Sequence, residues 1–254
     1  MGHVDKRCAL NADPHEQLTL LDVQRLDLEI DRVRHRRAGL PEMVRVRELE
    51  VQSRTLGDVI TKAAVEVSDL EADQRKADAD VDLVRMRAEK DRVLLDTIND
   101  AKQLSNLQHE LESLARRQSE LEDVELEIME QLESAQKAHA AHLAERDGVA
   151  ADLLLARQVL AEALAALAAE EEAAIADRAV TARSLPAELL ALYDKLRADQ
   201  GGVGAAALYR GRCEGCRIEL TPVDIARIRA AAETEVLRCE ECRRILIRTA
   251  DSGL

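Results

Sequence analysis

The run LEVQSRTLGDVITKAAVEVSDL, residues 49–70, repeats its apolar side chains every seven residues, and the same count carries on to Leu95. One row reads Leu49, Leu56, Ala63, Leu70, Ala77, Val84 and Asp91; the other, offset by four, reads Ser53, Ile60, Val67, Gln74, Val81, Ala88 and Leu95. Eleven of these 14 sites are apolar. A strict seven-residue repeat puts both rows on one narrow stripe of a helix, which is the seam of a coiled coil. A second seam follows at Leu104, Leu107, Leu111, Leu114, Leu121, Ile128, Leu132 and Ala135, with Gln118 and Glu125 as polar interruptions.

Between the seams, Thr97-Ile98-Asn99-Asp100-Ala101 breaks the apolar pattern and offers Asn and Asp for a turn. The midpoint of residues 13–183 also falls there, so two arms of ~80 residues, each ~120 Å long at ~1.5 Å per residue, fold back as an antiparallel hairpin. Facing positions then sum to about 198, by the symmetry of a turn centred on Asn99. A parallel dimer through both seams is the alternative. Asp13-Pro14-His15-Glu16 opens the first arm with an N-cap, a first-turn proline and the acid of a capping box. Gly39-Leu40-Pro41 breaks or kinks that arm, because proline removes a backbone donor and crowds the preceding turn. Ala-rich residues 150–182 bury little area each, and Glu170-Glu171-Glu172 reads as a solvated face.

Composition agrees with long amphipathic helices. The 254 residues are 34% charged and 46% apolar, with no Trp, no Phe and two Tyr, too few aromatics to fill a large globular core. No apolar run reaches the ~18 residues a membrane span needs, and the start of the chain lacks the apolar stretch of a signal peptide. A cytoplasmic protein is expected, with no membrane partner, and thiols there stay reduced.

Past Arg183 the grammar changes, so the domains are expected to be residues 1–183, the hairpin, and 184–254. A short helix runs from Leu185-Pro186 to about Asp199, and Gly201-Gly202-Val203-Gly204 makes a joint. Residues 205–212 predict a strand, 222–232 a helix started by Thr221-Pro222-Val223-Asp224, and 235–238 and 244–248 two more strands. Cys213-x2-Cys216 and Cys239-x2-Cys242, 22 residues apart, frame these elements. Two such pairs match a tetrahedral four-thiolate zinc site, closed to substrate and therefore structural. Iron, in a rubredoxin-like site, and disulfides are the alternatives. Cys8 reads as a free thiol. The fold class is mainly α: a long antiparallel coiled-coil hairpin followed by a small zinc ribbon of short strands with a helical insert.

Leu185-Pro186-Ala187-Glu188-Leu189-Leu190, Gly201-Gly202-Val203-Gly204, Arg212-Cys213-Glu214-Gly215-Cys216 and Arg238-Cys239-Glu240-Glu241-Cys242-Arg243-Arg244-Ile245-Leu246 resemble a known bacterial family. Its members join a coiled-coil hairpin to a C-terminal four-cysteine zinc ribbon, and residues 111–118 resemble the actinobacterial version. The resemblance implies a binding role, with nucleic acid and with transcription-factor or flagellar partners. Arg243 departs from the Gly that many ribbons place after the second cysteine.

Charge divides the chain. Residues 1–182 hold 24 cations against 39 anions, net −15, so the coiled coil repels nucleic acid. Residues 183–254 hold 12 cations and 11 anions, and all nine cations after Leu208 are Arg, which favours bidentate contact with phosphate or carboxylate. Arg212, Arg217, Arg243 and Arg244 lie within two residues of a cysteine ligand and are the candidate nucleic-acid contacts. Base stacking has little support beyond Tyr209.

The sequence has no phosphate-cradling Gly loop, nucleophile elbow or His-Glu-x2-His. The chain reads as a non-enzyme without a small-molecule substrate. His139-x2-His142 reads as seam or surface rather than metal ligand. The expected function is an adaptor with one structural zinc, its ribbon binding DNA or RNA through arginines and its coiled coil holding a protein; a protein-only or chaperone-like scaffold is the alternative.

Overall fold

A computed structural model describes residues 10–254, so Cys8 lies outside the described residues. Helix α1 (Pro14–Ala38) begins on the capping box: the His15 N–H donates to Asp13 Oδ1 at 2.8 Å and the Asp13 N–H to Glu16 Oε2 at 2.8 Å. It ends where the sequence breaks, with the Gly39 N–H closing on the His35 and Arg36 carbonyls, and helix α2 (Pro41–Leu95) restarts on Pro41. Helix α3 (Ala101–Ala182) follows the expected turn, in which Asp100 Oδ1 accepts from the Lys102 and Gln103 N–H groups. Helix α4 (Ala187–Asp199), strand β1 (Ala205–Tyr209), strand β2 (Arg212–Cys213), helix α5 (Pro222–Ala230), strand β3 (Leu237–Arg238) and strand β4 (Ile245–Ile247) complete the order. Among the described residues, no helix is long and apolar enough to cross a membrane.

The contacts divide the chain into two compact units, Glu42–Gln158 and Met1–Pro41 with Val159–Leu254. This grouping differs from the boundary at 183/184 read from residue grammar, because α1 packs with the C-terminal elements.

In the first unit, α2 and the adjoining part of α3 pair as a hairpin. Every one of the seam positions named on α2, Ser53, Gln74 and Asp91 included, is buried or half-buried. So are Gln118 and Glu125 on α3. Glu125 lies beside Asp78, and partial desolvation together with that carboxyl pushes it above the ordinary carboxylate range. Leu49, Leu56 and Val149 form a buried cluster with Ile60, Leu153 and Ala156 around it.

Near the turn Arg87 pairs with Glu110, as a turn centred on Asn99 predicts, and farther along the arms the register drifts from that symmetry. Arg157 reaches Glu50 at 2.7 Å, whereas a turn centred on Asn99 sets Glu50 opposite Gly148. The turn fixes only where the chain reverses; the offset comes from how the two seams interlock. A chain with cysteines in place of Glu50 and Arg157, Cys8 replaced by Ser and the ribbon protected by zinc, is expected to cross-link internally with a short bismaleimide. Cysteines at 50 and 148, several residues off that pairing, should link more slowly. Equal rates would refute the shifted register.

In the second unit the strands order as β2-β1-β4-β3, with β1 parallel to β4 and the other pairs antiparallel. The residues expected as one strand, 205–212, turn at Arg210-Gly211 and come back as β2. Side chains alternate across the sheet. Ala205, Ile245 and Ile247 pack on Leu20 and Val23 of α1 and on Leu189, Tyr193 and Leu196 of α4. Ala206, Leu208 and Leu246 face the other way, toward Ile228 of α5 and the cysteines.

Polar side chains fasten α1 to this sheet. Buried Gln24 accepts the Gly204 N–H at 2.7 Å and the Ala205 N–H at 3.2 Å and donates to the Gly202 carbonyl at 3.0 Å. Buried Asp27 accepts the Tyr193 hydroxyl at 2.7 Å and pairs with Arg178 and Arg197. Burial, followed by that bond to Asp27, pushes the Tyr193 phenol far up. Gly204 is required by close approach: a Cβ there would lie 2.6 Å from the Tyr193 carbonyl oxygen. Glu170 and Glu171 are not a free solvated face. Glu171 binds Arg34 at 2.6 Å and Arg37 at 2.8 Å, and Glu170 binds Arg36 at 2.8 Å. The charges that looked solvated along one helix meet the basic last turn of another.

Candidate metal centre

The two Cys-x2-Cys pairs sit where turns reverse the chain beside the sheet. In the first, the Arg217 N–H donates to the Cys213 carbonyl at 2.7 Å; in the second, the Arg243 N–H donates to the Cys239 carbonyl at 2.9 Å. Each turn ends in the left-handed region, Arg217 at φ 62° and Arg243 at φ 63°. A side chain costs about 1 kcal/mol or more there relative to glycine. The matching geometry makes the two pairs equivalent knuckles and explains why glycine suits the place that Arg243 fills. Arg217→Gly is expected to raise ribbon stability by about 0.5–1 kcal/mol, read as a higher midpoint in denaturant at fixed zinc. A lower midpoint would show that the Arg217 side chain contributes more than its backbone costs.

The four sulfurs all lie within 4.8 Å of one another, with Cys213 to Cys242 and Cys216 to Cys239 each at 3.9 Å. Sulfurs bonded at ~2.3 Å around one tetrahedral zinc stand about 3.8 Å apart, whereas a disulfide needs about 2.05 Å. The donor set fits zinc. Cys213 and Cys239 are buried, Cys216 and Cys242 half-buried. Burial pushes the Cys213 and Cys239 thiols up. Burial opposes ionisation of Cys242 as well, but the Arg244 N–H and guanidinium and the neighbouring thiols outweigh it and bring it down to about 7. A bound cation supplies the charge that offsets the burial of Cys213 and Cys239 as thiolates, and loading releases protons accordingly. Four thiolates leave no open position, so the metal holds shape and does not activate water.

The four arginines expected to meet nucleic acid have unlike surroundings. Arg244 is half-buried and spent inside the fold: Nε donates to the Val203 carbonyl at 2.9 Å and Nη2 to the Gln200 carbonyl at 2.8 Å, tying the second knuckle to the segment after α4. Its guanidinium is thus already engaged within the fold, at a residue the sequence reading set among the nucleic-acid contacts. Arg212 is paired with Glu214 at 3.0 Å and Arg243 with Glu240 at 3.5 Å. Arg217 is exposed, and no acidic partner meets it among the described residues. Sequence reasoning could not assign these partners, since every arginine there has a glutamate within a few residues.

His139 and His142 are half-buried on α3, where His142 adjoins Leu56 and Val59. Among the described residues, the cysteines are the one group of three or more metal-ligand side chains within reach of one another.

Residues 23–201 match the CT398-like coiled coil hairpin domain, and residues 212–246 the C4-type zinc ribbon domain. An uncharacterized protein of Mycobacterium tuberculosis is 38% identical over 240 residues, covering 94% of this chain and 98% of its own. A relative in Mycobacterium leprae is 30% identical over 220 residues, covering 86% and 94%. A solved structure from Mycobacterium smegmatis aligns with TM-score 0.82 at 36% identity, over 94% of this chain and all of that one. CT398 from Chlamydia trachomatis shares the fold at TM-score 0.67 and 14% identity, over 92% and 98%. With hairpin, four-thiolate ribbon and these relatives in agreement, the chain belongs to the CT398-like coiled-coil hairpin family and carries a C4-type zinc ribbon for one zinc ion.

Proposed function

We propose that the chain is a non-catalytic adaptor that binds protein partners, with its zinc holding the ribbon in shape. The observation that carries this reading is the use made of the ribbon arginines. Arg244 and Arg248 bind backbone carbonyls, and Arg212, Arg227 and Arg243 pair with glutamates. A guanidinium so engaged must give up its partner before it can hold phosphate, which lowers the net gain. The acidic coiled coil adds repulsion. In this reading the hairpin offers a long polar surface to a protein, inside the cytoplasm. Binding of DNA or RNA through Arg212, Arg217 and Arg243 is the second reading, and the exposed, unpaired Arg217 favours it.

The zinc-loaded full chain, titrated into labelled 20-mer RNA and duplex DNA at about 50 mM salt, is expected to leave their anisotropy unchanged. Nucleic-acid affinity falling steeply with salt would instead support phosphate contact, at a slope of about 0.9 per contact on duplex DNA. Loss of that affinity in an Arg217→Glu, Arg243→Glu double variant with normal zinc content would decide for the second reading. A photo-cross-linker on the hairpin should meanwhile capture a defined protein in nuclease-treated extract.

A further inference from the structure

Two hollows lie on either side of one unpaired arginine of the ribbon. The first, about 560 Å³, is lined by Pro14 and Leu18 of α1 and by Ile228, Arg229, Glu233 and Arg248. The second, about 630 Å³, is lined by Glu219, Leu220, Pro222, Ile225, Ala226 and Arg229. Arg229 belongs to both and is exposed on the last turn of α5, where no acidic side chain pairs with it among the described residues. That sets it apart from Arg227, two residues earlier on α5, which holds Glu240 at 2.5 Å.

We propose that this surface docks an acidic segment of a partner protein, a carboxylate on Arg229 and an aliphatic side chain in each hollow. The proposal rests on the adaptor reading and names its partner chemistry. Charge complementarity selects the occupant: Arg229 offers a free fork between the hollows, while Glu233 in the first and Glu219 in the second favour a single central acid over an acidic run. The walls select peptide over nucleic acid, since bases bind by stacking on aromatic faces and no aromatic side chain lines either hollow, whose apolar walls are Pro, Leu, Ile and Ala beside the charged groups. Leu18 is already 43% exposed, apolar area that an aliphatic side chain would cover.

The test pans a phage-displayed library of random dodecapeptides against the zinc-loaded full chain and measures the selected peptides by fluorescence anisotropy. Peptides carrying Asp or Glu flanked by Leu, Ile or Val should emerge. Arg229→Glu should weaken them at least about tenfold, and Ala226→Trp, which fills the second hollow, should do likewise, both with wild-type zinc content. Selection of no peptides, selection of peptides without an acid, or equal binding to Arg229→Glu overturns the proposal, as does RNA binding that depends on Arg229. If the hairpin cross-linker still captures its protein while these peptides fail, the adaptor reading stands and this surface falls.

Discussion

Metal removal from the reduced protein at neutral pH is expected to cost the chain more than its ribbon. The four-stranded sheet holds the cysteines on one face and α1 and α4 on the other, so its collapse removes the surface on which Leu20, Val23, Leu189 and Tyr193 are buried. Structural zinc sites contribute about 10–16 kcal/mol in finger peptides at neutral pH, comparable with or larger than the ~5–15 kcal/mol that holds a whole domain. Hydrogen exchange should therefore show protection lost across Pro14–Ala38 and Ala187–Asp199 as well as the strands, while α2 keeps its own. Cys213→Ser or Cys239→Ser should give the same pattern. Protection of α1 that survives in metal-free protein would mean that α1 packs on α3 and α4 without needing the sheet.

The second large effect is expected at Asp27. It is 4% exposed, accepts the Tyr193 hydroxyl and neutralises Arg178 and Arg197. Asp27→Ala leaves a buried hydroxyl without its acceptor and two guanidiniums short of a counter-charge. Breaking a fully buried pair costs about 3–5 kcal/mol; here each arginine is partly solvated and keeps a second acid, Asp194 or Asp31, so about 3 kcal/mol is expected. Asp27→Asn, which still accepts from Tyr193, should cost less. Tyr193 and Tyr209 both lie in the same compact unit, so tyrosine fluorescence in denaturant follows that unit without signal from the rest. A loss under about 1 kcal/mol for Asp27→Ala would show that water replaces the carboxylate.

The parts of the fold legible in the sequence are those that a local rule determines. A seven-residue repeat located the seam down to its polar sites Ser53, Gln74 and Asp91; a capping box placed the start of α1; Pro41 placed the break; and the cysteine spacing gave the metal centre. The parts that were not legible depend on what lies across the fold. Gln17, Gln24 and Asp27 are polar by type, yet they are buried beside Leu20 and Val23 because they satisfy Gly202, Gly204, Tyr193 and other distant groups. The pairing of Glu171 with Arg34 and Arg37 needed the register, which the turn does not set. Arg244 looked like its exposed neighbours until the Val203 and Gln200 carbonyls claimed it.

The parallel pairing of β1 with β4 has a consequence for biosynthesis. The buried face of α1 is fully covered only when Ile245 and Ile247, which are translated long after α1, take their place in the sheet. At about 5–20 residues per second, translation from the end of α1 to β4 lasts roughly 10–40 s. Until that interval ends the nascent chain presents Leu20 and Val23 without the cover of β4, and any chain cut short before Ile245 keeps them so.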